Sequence, residues 1–576
     1  MRIAPWTFAI VAGFSLFDTS LAMASVTYTG LPEPLEKNAR ALMPLASAPC
    51  NSAPFRIERL FRDSDAKLRE ALEALGYYRF EFRKSLSLER SACWSATFDV
   101  QLGEPVRLQQ VAIELRGEAG DDPWFRSRNW PQEPAAGDVL DHGAYERFKK
   151  FLLANVQGRG YFEAHWVKSE VIVNESMTAA SMQLVIDSGP RYLFGEINYS
   201  DDVLRSGLLA NYAKFEPGDP YSAEAISELQ ESLSGSGYFG TVSIRAEPAE
   251  DGSNVVPVFV TLSPGMSQVY TAGLGYATDI GVQGRLGYTN RRLNDLGHQF
   301  DSQLYASSVD SQVSGTYRWP RGNPEAEWVD IFGGYQHKRT DTSETDKVTF
   351  GIRVSRNRTP EWLETPYINF TGEDFMVGDQ VDKSRLIIPG ISWESTVGRE
   401  ISRIRSGHRI SLDVRGSLDA IGSDATFGQL TGSTKWAFPL GEANRLLVRA
   451  DLGLTLKEDF EDLPASVRYF AGGDNSVRGY GFETLGPTNE DGDVIGGSYL
   501  ATFSVEFDRL LWKKWSVAAF VDTGNAFDSL DFDFKTGVGL GLRWYSPLGP
   551  IRLDVAHPLD DPDRDYRIHI TLGPDL

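Results

Sequence analysis

From about Met266 to the C-terminus, apolar and polar residues alternate with a period of two, the repeat of β-strands whose two faces meet different surroundings. Leu446, Val448, Ala450, Leu452 and Leu454 share one face; Arg445, Arg449, Asp451 and Thr455 share the other. The same division sets Val348, Phe350, Ile352 and Val354 against Thr349, Arg353 and Ser355, and Tyr499, Ala501, Phe503, Val505 and Phe507 against Thr502, Ser504, Glu506 and Asp508. A soluble sandwich also alternates. Here, however, the segments are about ten residues long and separated by polar, Gly-rich or acidic turns. Aromatic residues (Tyr317, Trp319, Trp512, Trp515, Trp544) lie near their ends, as in strands crossing a bilayer between two interfacial girdles. About 16 such segments lead us to expect an all-β transmembrane 16-stranded antiparallel barrel over 266–576, with charged side chains in a wet lumen.

The first 24 residues read as an export signal. Arg2 precedes an apolar stretch from about Ala4 to Phe17, and Ala22-Met23-Ala24 forms a small-x-small cleavage site. The apolar run is shorter than the roughly 20 residues of a spanning helix, so cleavage is expected. A formal charge of −22 argues against nucleic-acid partners, whose phosphates need a basic surface. The two cysteines, Cys50 and Cys93, would meet an oxidising compartment after export, and a disulfide between them is expected.

Ahead of the barrel the chain repeats itself. Gly76-Tyr77-Tyr78, Gly160-Tyr161-Phe162 and Gly237-Tyr238-Phe239 each follow a helical stretch. The apolar faces of those helices are Leu68, Leu72 and Leu75; Phe148, Phe151 and Leu152; and Ile226, Leu229 and Leu233. A glycine there suits a helix C-terminus where the chain turns sharply. Two β-type runs follow each copy, and a Gly- or Pro-containing turn closes it, giving three units of order strand, helix, helix, strand, strand: 25–104, 105–190 and 191–265. This α+β unit resembles the POTRA (polypeptide-transport-associated) domain. The resemblance implies a periplasmic scaffold that handles unfolded clients or docks partners, its open sheet edge able to pair with an extended segment.

One connection in the barrel is too long for a hairpin. Between Leu456 and Ser498 it carries Phe470-Ala471-Gly472-Gly473-Asp474-Asn475-Ser476-Val477-Arg478-Gly479-Tyr480. Further on, the outward alternation of Trp515, Val517, Ala519 and Val521 turns Phe520 and Asp522 into the lumen. An Arg478–Asp522 pair would hold the loop inside the barrel; the alternative is a flexible external loop with a solvated arginine. Val477-Arg478-Gly479-Tyr480, the Phe520-Val521-Asp522-Thr523-Gly524 segment and the late run Gly537 to Pro550 resemble the signatures of the POTRA-plus-barrel superfamily of outer-membrane insertases and transporters. Three modules, and the ending Leu572-Gly573-Pro574-Asp575-Leu576, are most similar to the TamA-like branch, the outer-membrane subunits of translocation and assembly modules.

That resemblance assigns a loop–barrel lock to Arg478, Gly479, Tyr480, Asp522 and Gly524. It also implies a lateral seam between the first and last strands, at Tyr270, Gly273, Gly275, Tyr566, Ile568, Ile570 and Gly573. Glycines weaken strand pairing there. The implied partners are client outer-membrane proteins such as autotransporters, an inner-membrane-anchored TamB-like subunit and the lipid bilayer. A dedicated secretion pore of two-partner type and a porin with periplasmic modules are the competing readings. Seven scattered histidines, no G-x-S-x-G elbow and no phosphate loop lead us to expect no metal, no cofactor and no enzyme activity.

Overall fold

The computed structural model describes residues 25–88, 93–127, 130–200, 204–398, 403–529, 531–546, 549–561 and 566–572; the expected export signal, Gly573 and the chain end lie outside them. In the first module, helices Glu33–Leu42 and Pro54–Glu73 cover a three-stranded sheet. Its central strand, Ser95–Leu102, runs parallel to Ser25–Thr29 and antiparallel to Phe80–Ser87. Proline opens each helix, where no intrahelical N–H is needed. Ile57, Leu68, Leu72 and Phe98 are fully buried between the layers. Cys50 and Cys93 are bonded, with Cα atoms 5.2 Å apart.

The second module repeats this order with strands Arg107–Arg116, His165–Val173 and Ala179–Asp187 and helices Pro123–Arg126 and His142–Gly158. The third has strands Leu193–Tyr199, Phe239–Ala246 and Val255–Pro264 and helices Ser206–Ala210 and Ala223–Gly235. The repeated Gly-Tyr-aromatic motif does more than end a helix. Gly76 and Gly160 have φ of +86° and +93°, a left-handed conformation that side chains disfavour. The turn they make presents their carbonyls to the next module: Val106 N–H donates to Gly76 O (2.8 Å) and Tyr192 N–H to Gly160 O (2.9 Å). The motif is thus also the joint between modules.

In the second module Asp122 is a buried carboxylate at the N-cap of Pro123–Arg126, accepting the Trp124 N–H (2.9 Å). Arg159 grips it with two bonds of 3.0 and 3.1 Å, and Arg191 lies 3.5 Å away. Burial pushes this carboxyl up, but the Arg159 and Trp124 hydrogen bonds and the two guanidinium charges outweigh burial and hold it below the usual carboxylate range. A group with a depressed folded pKa stabilises the fold above its unfolded pKa, about 3.9, and that contribution disappears as pH falls through the folded value. Asp122→Asn should therefore speed hydrogen exchange across 118–126 at pH 7 and bring little further loss on acidification, whereas the native chain loosens as the pH drops below about 4.

The second half closes into a ring of sixteen strands, from Gln268–Ala277 to Arg567–Leu572, each antiparallel to its neighbours. Alternation sorts the side chains as expected. Phe350, Val505, Val517 and Val521 are exposed on the outside, where burial in lipid satisfies them. Glu506, Asp508, Asp522 and Arg543 are buried on the inside. Trp515 and Trp544 stack at 6.0 Å between strand ends, as at a bilayer interface. Among the described residues no helix is long and apolar enough to cross a membrane.

Candidate functional site: a loop locked in the lumen beside a seam

Between strands Asn444–Lys457 and Tyr499–Trp512 the chain folds back on itself rather than projecting freely. Ala471 and Leu485 exchange two backbone hydrogen bonds of 2.9 Å, and Ala471, Val477, Tyr480 and Leu485 form a small buried apolar cluster. A loop with its own core has little freedom left to lose, so a few anchors suffice to dock it.

The main anchor is Arg478. Its Nε and Nη2 donate to the two oxygens of Asp522 at 2.7 and 3.0 Å, and its backbone N–H reaches the same carboxylate at 3.1 Å. Nη1 donates to Glu506 (2.9 Å) and Asp554 (3.0 Å), while the guanidinium carbon lies 3.4 Å from the centroid of the Phe520 ring. Arg543 completes the group by bonding Glu506 at 2.9 Å and Asp554. Four consecutive strands (Tyr499–Trp512, Trp515–Phe527, Lys535–Ser546 and Gly549–Pro558) thus each supply one inward charged group. All are buried. Two arginines among three carboxylates leave each desolvated charge with hydrogen-bonded partners, the condition for tolerating it there.

Glycines make room for this. The carbonyl of Arg478 comes so near the wall strand that a Cβ on Gly537 would sit 1.9 Å from it. A Cβ on Gly541 would meet Asp554 at the same distance, and one on Gly539 would meet the Phe520 ring at 2.4 Å. The Gly537-Val538-Gly539-Leu540-Gly541 run therefore keeps side chains on the lipid face and none in the lumen, forming a groove for the loop. Gly479, at φ +101°, turns the loop against Pro558. The Tyr480 ring is buried and its hydroxyl accepts from the Asp560 N–H at 3.4 Å. Gly524 sits in the strand pair opposite Thr502, where a Cβ would meet the Ala501 carbonyl at 2.4 Å. The Arg478–Asp522 pair inferred from alternation is present; Glu506, Arg543 and Asp554 went unassigned, although the same alternation turns each inward.

The seam is less as expected. Among the described residues one ladder pair, Ala277↔Thr571, joins the first and last strands, against ten pairs between the first and second. Thr278 N–H donates to Ile570 O (3.1 Å) and Ile570 N–H to Thr278 Oγ1 (2.6 Å). Of the residues assigned to the seam, Ile570 makes these crossing bonds. Gly275 pairs with Gln283 of the second strand, and Gly573 lies outside the described residues. Tyr270 and Tyr566 make no contact across the seam among the described residues: Tyr270 packs on Tyr288 of the second strand (5.2 Å) and Tyr566 on His557 (5.0 Å). Among the described residues the two strands pair only around Ala277, and the Tyr270 and Tyr566 rings pack on their other neighbours. Ile568 faces lipid.

The residue missed is His569, which alternation points inward between Ile568 and Ile570. Gly479 N–H donates to its Nε2 at 3.0 Å, and its Nδ1 meets Asp474. Asp279, in the turn after the first strand, accepts the Asp474 N–H at 2.5 Å. The three side chains are close enough for their ligand atoms to surround an ion, but both ring nitrogens already have partners. An Nε2 that accepts from an amide leaves the proton on Nδ1, to be donated to Asp474. The arrangement is a hydrogen-bonded relay.

Comparison with known proteins matches residues 265–575 to the Omp85 superfamily domain. The chain belongs to the Omp85 superfamily. Residues 25–102 match a POTRA domain described as TamA domain 1, and 192–265 match a POTRA model described as a surface antigen variable number repeat. The outer membrane protein assembly factor BamA of Neisseria meningitidis serogroup B is 22% identical over 90% of this chain and 73% of its own length. That of Nitratidesulfovibrio vulgaris is 24% identical over 63% of this chain, which spans 48% of that relative. A crystal structure of BamA from Haemophilus ducreyi lacking POTRA domains 1–3 superposes on 81% of this chain with a TM-score of 0.68 at 16% identity, a likeness of fold. The Omp85 assignment and the closed sixteen-stranded ring agree on an outer-membrane β-barrel carrying POTRA modules.

Proposed function

We propose that this Omp85 protein is the outer-membrane subunit of a translocation and assembly module. Its barrel would sit in the outer membrane with the POTRA modules in the periplasm. It would assist the folding, insertion and secretion of client outer-membrane proteins, autotransporters among them, without catalysing a reaction. The observation that carries this reading is the seam. A barrel strand with ten pairs on one side and one described pair on the other offers its backbone to an incoming strand, as exposed sheet edges do. The match of the first module to TamA domain 1 supports the branch, and with it an inner-membrane-anchored TamB-like partner. Relatives named assembly factors support the class of client.

Depletion followed by quantitative profiling of surface proteins tests the proposal. Broad loss of autotransporters is the expected result. Loss of a single exported substrate would replace it with a dedicated secretion pore, and unchanged surface proteins with reduced solute uptake would replace it with a porin.

A further inference from the structure

We propose that His569 is a positioning residue that makes docking of the loop and closure of the seam a single event. The loop is bonded to both sides of the junction. On one side Asp474 reaches the turn after the first strand, through its N–H to Asp279 (2.5 Å) and from the Asp279 N–H to its own carboxylate (3.4 Å). On the other side the last strand enters the loop through the His569 ring, which donates to Asp474 and accepts from the Gly479 N–H. Gly479 directly follows Arg478, so the ring reports on the same backbone that the lumen charges hold. The Asp279, Asp474 and His569 side chains are 4%, 3% and 1% exposed.

Polar groups this deeply buried cannot be left without partners cheaply. If the loop lifts, Asp279 loses the amide that its Oδ2 accepts, and among the described residues its Oδ1 has no hydrogen-bond partner; Arg567 is 3.7 Å away. The first hairpin then moves toward water, and among the described residues only the pairing around Ala277 and Thr278 resists it. If the seam parts first, His569 is drawn from Asp474 and Gly479 and the loop loses its far anchor. A neutral imidazole fits this place because it donates at one end and accepts at the other. A leucine fills the volume and does neither.

The test uses the full chain in phospholipid nanodiscs with no client present, so its outcome is independent of what the barrel inserts. Spin labels on Leu274→Cys and Ile568→Cys, both lipid-facing, read the seam; the native cysteines are bonded to each other. Protease cutting between 458 and 498 reads the loop. Against one closed distance distribution for the native chain, His569→Leu should raise a longer-distance population and the cutting rate together, each by about tenfold, the equivalent of one buried hydrogen bond. Asp474→Ala should do the same from the loop side, and it decides the matter if His569→Leu fails to insert. Asp474→Asn, which keeps the acceptor oxygen, should stay near the native values. Asp330→Asn, which breaks the Arg318 and Arg353 pairs on another strand, should leave the seam distance unchanged. A loop that opens without the seam, a seam that opens without the loop, no change in either, or equal opening by Asp330→Asn would each overturn the proposal.

Discussion

Replacing Arg478 with alanine should release the loop while the barrel still forms. The substitution removes five side-chain hydrogen bonds to Asp522, Glu506, Asp554 and Ser504, leaving buried Glu506 and Asp554 to Arg543 and buried Asp522 with the Ser504 hydroxyl. Breaking a buried charge group by deleting one partner costs about 3–5 kcal/mol, a shift of more than about 100-fold in the ratio of docked to free loop. Strand pairing around the ring does not pass through the arginine side chain, so strand content should hold. Proteolysis of the reconstituted protein, with circular dichroism as the control for strand content, reads both. Arg478→Lys should fall between the two, since a single ammonium cannot span both oxygens of Asp522 while also reaching Glu506 and Asp554. A loop that remained as protected in Arg478→Ala as in the native protein would remove the charge cluster from any account of docking.

The second large effect comes from a position with no charge at all. Gly537→Ala places a methyl group 1.9 Å from the Arg478 carbonyl, which is inside the carbon–oxygen contact distance, so the loop or the wall strand must move. Overpacking of this kind costs roughly 1–3 kcal/mol, and the upper end is expected here because the obstacle is backbone rather than a flexible side chain. The phenotype should match Arg478→Ala, an exposed loop in an intact barrel, although every charged group is still present. Because the two substitutions disrupt one event, their effects should fall well short of additive in a double-mutant cycle. Full additivity would mean that the groove and the charge cluster act on different steps.

Much of this was legible in the residues themselves. Period-two alternation gave the ring, its inward and outward faces and the Arg478–Asp522 pair, because a strand in a barrel has only two directions in which to point a side chain. It turned Glu506, Arg543, Asp554 and His569 inward equally well. What it could not say is which inward residues lie at the same depth, since that depends on the stagger between strands. Glu506 sits opposite Phe520 and Asp554 opposite Gly541, and those registers bring the charges to one level. The limited pairing of the first and last strands among the described residues was hidden for the same reason, as was the packing of Tyr270 and Tyr566 on their other neighbours. The glycines of the 537–541 run could be recognised as a signature without revealing that it is their missing side chains that matter. In the modules, the Gly-Tyr-aromatic repeat marked a helix end correctly, but its second role, as the acceptor for a backbone N–H at the start of the next module, requires knowing which strand follows in space.

Among the described residues a single ladder pair, Ala277↔Thr571, joins the first and last strands, and on that pairing the ring would fail at this junction first under load. Strands pulled apart sideways resist in proportion to the hydrogen bonds that must break at once, and every other junction offers a row of them. Tension from any direction is therefore relieved at one predetermined place, leaving the remaining wall as an intact curved ribbon with the loop's charge cluster still assembled on four neighbouring strands.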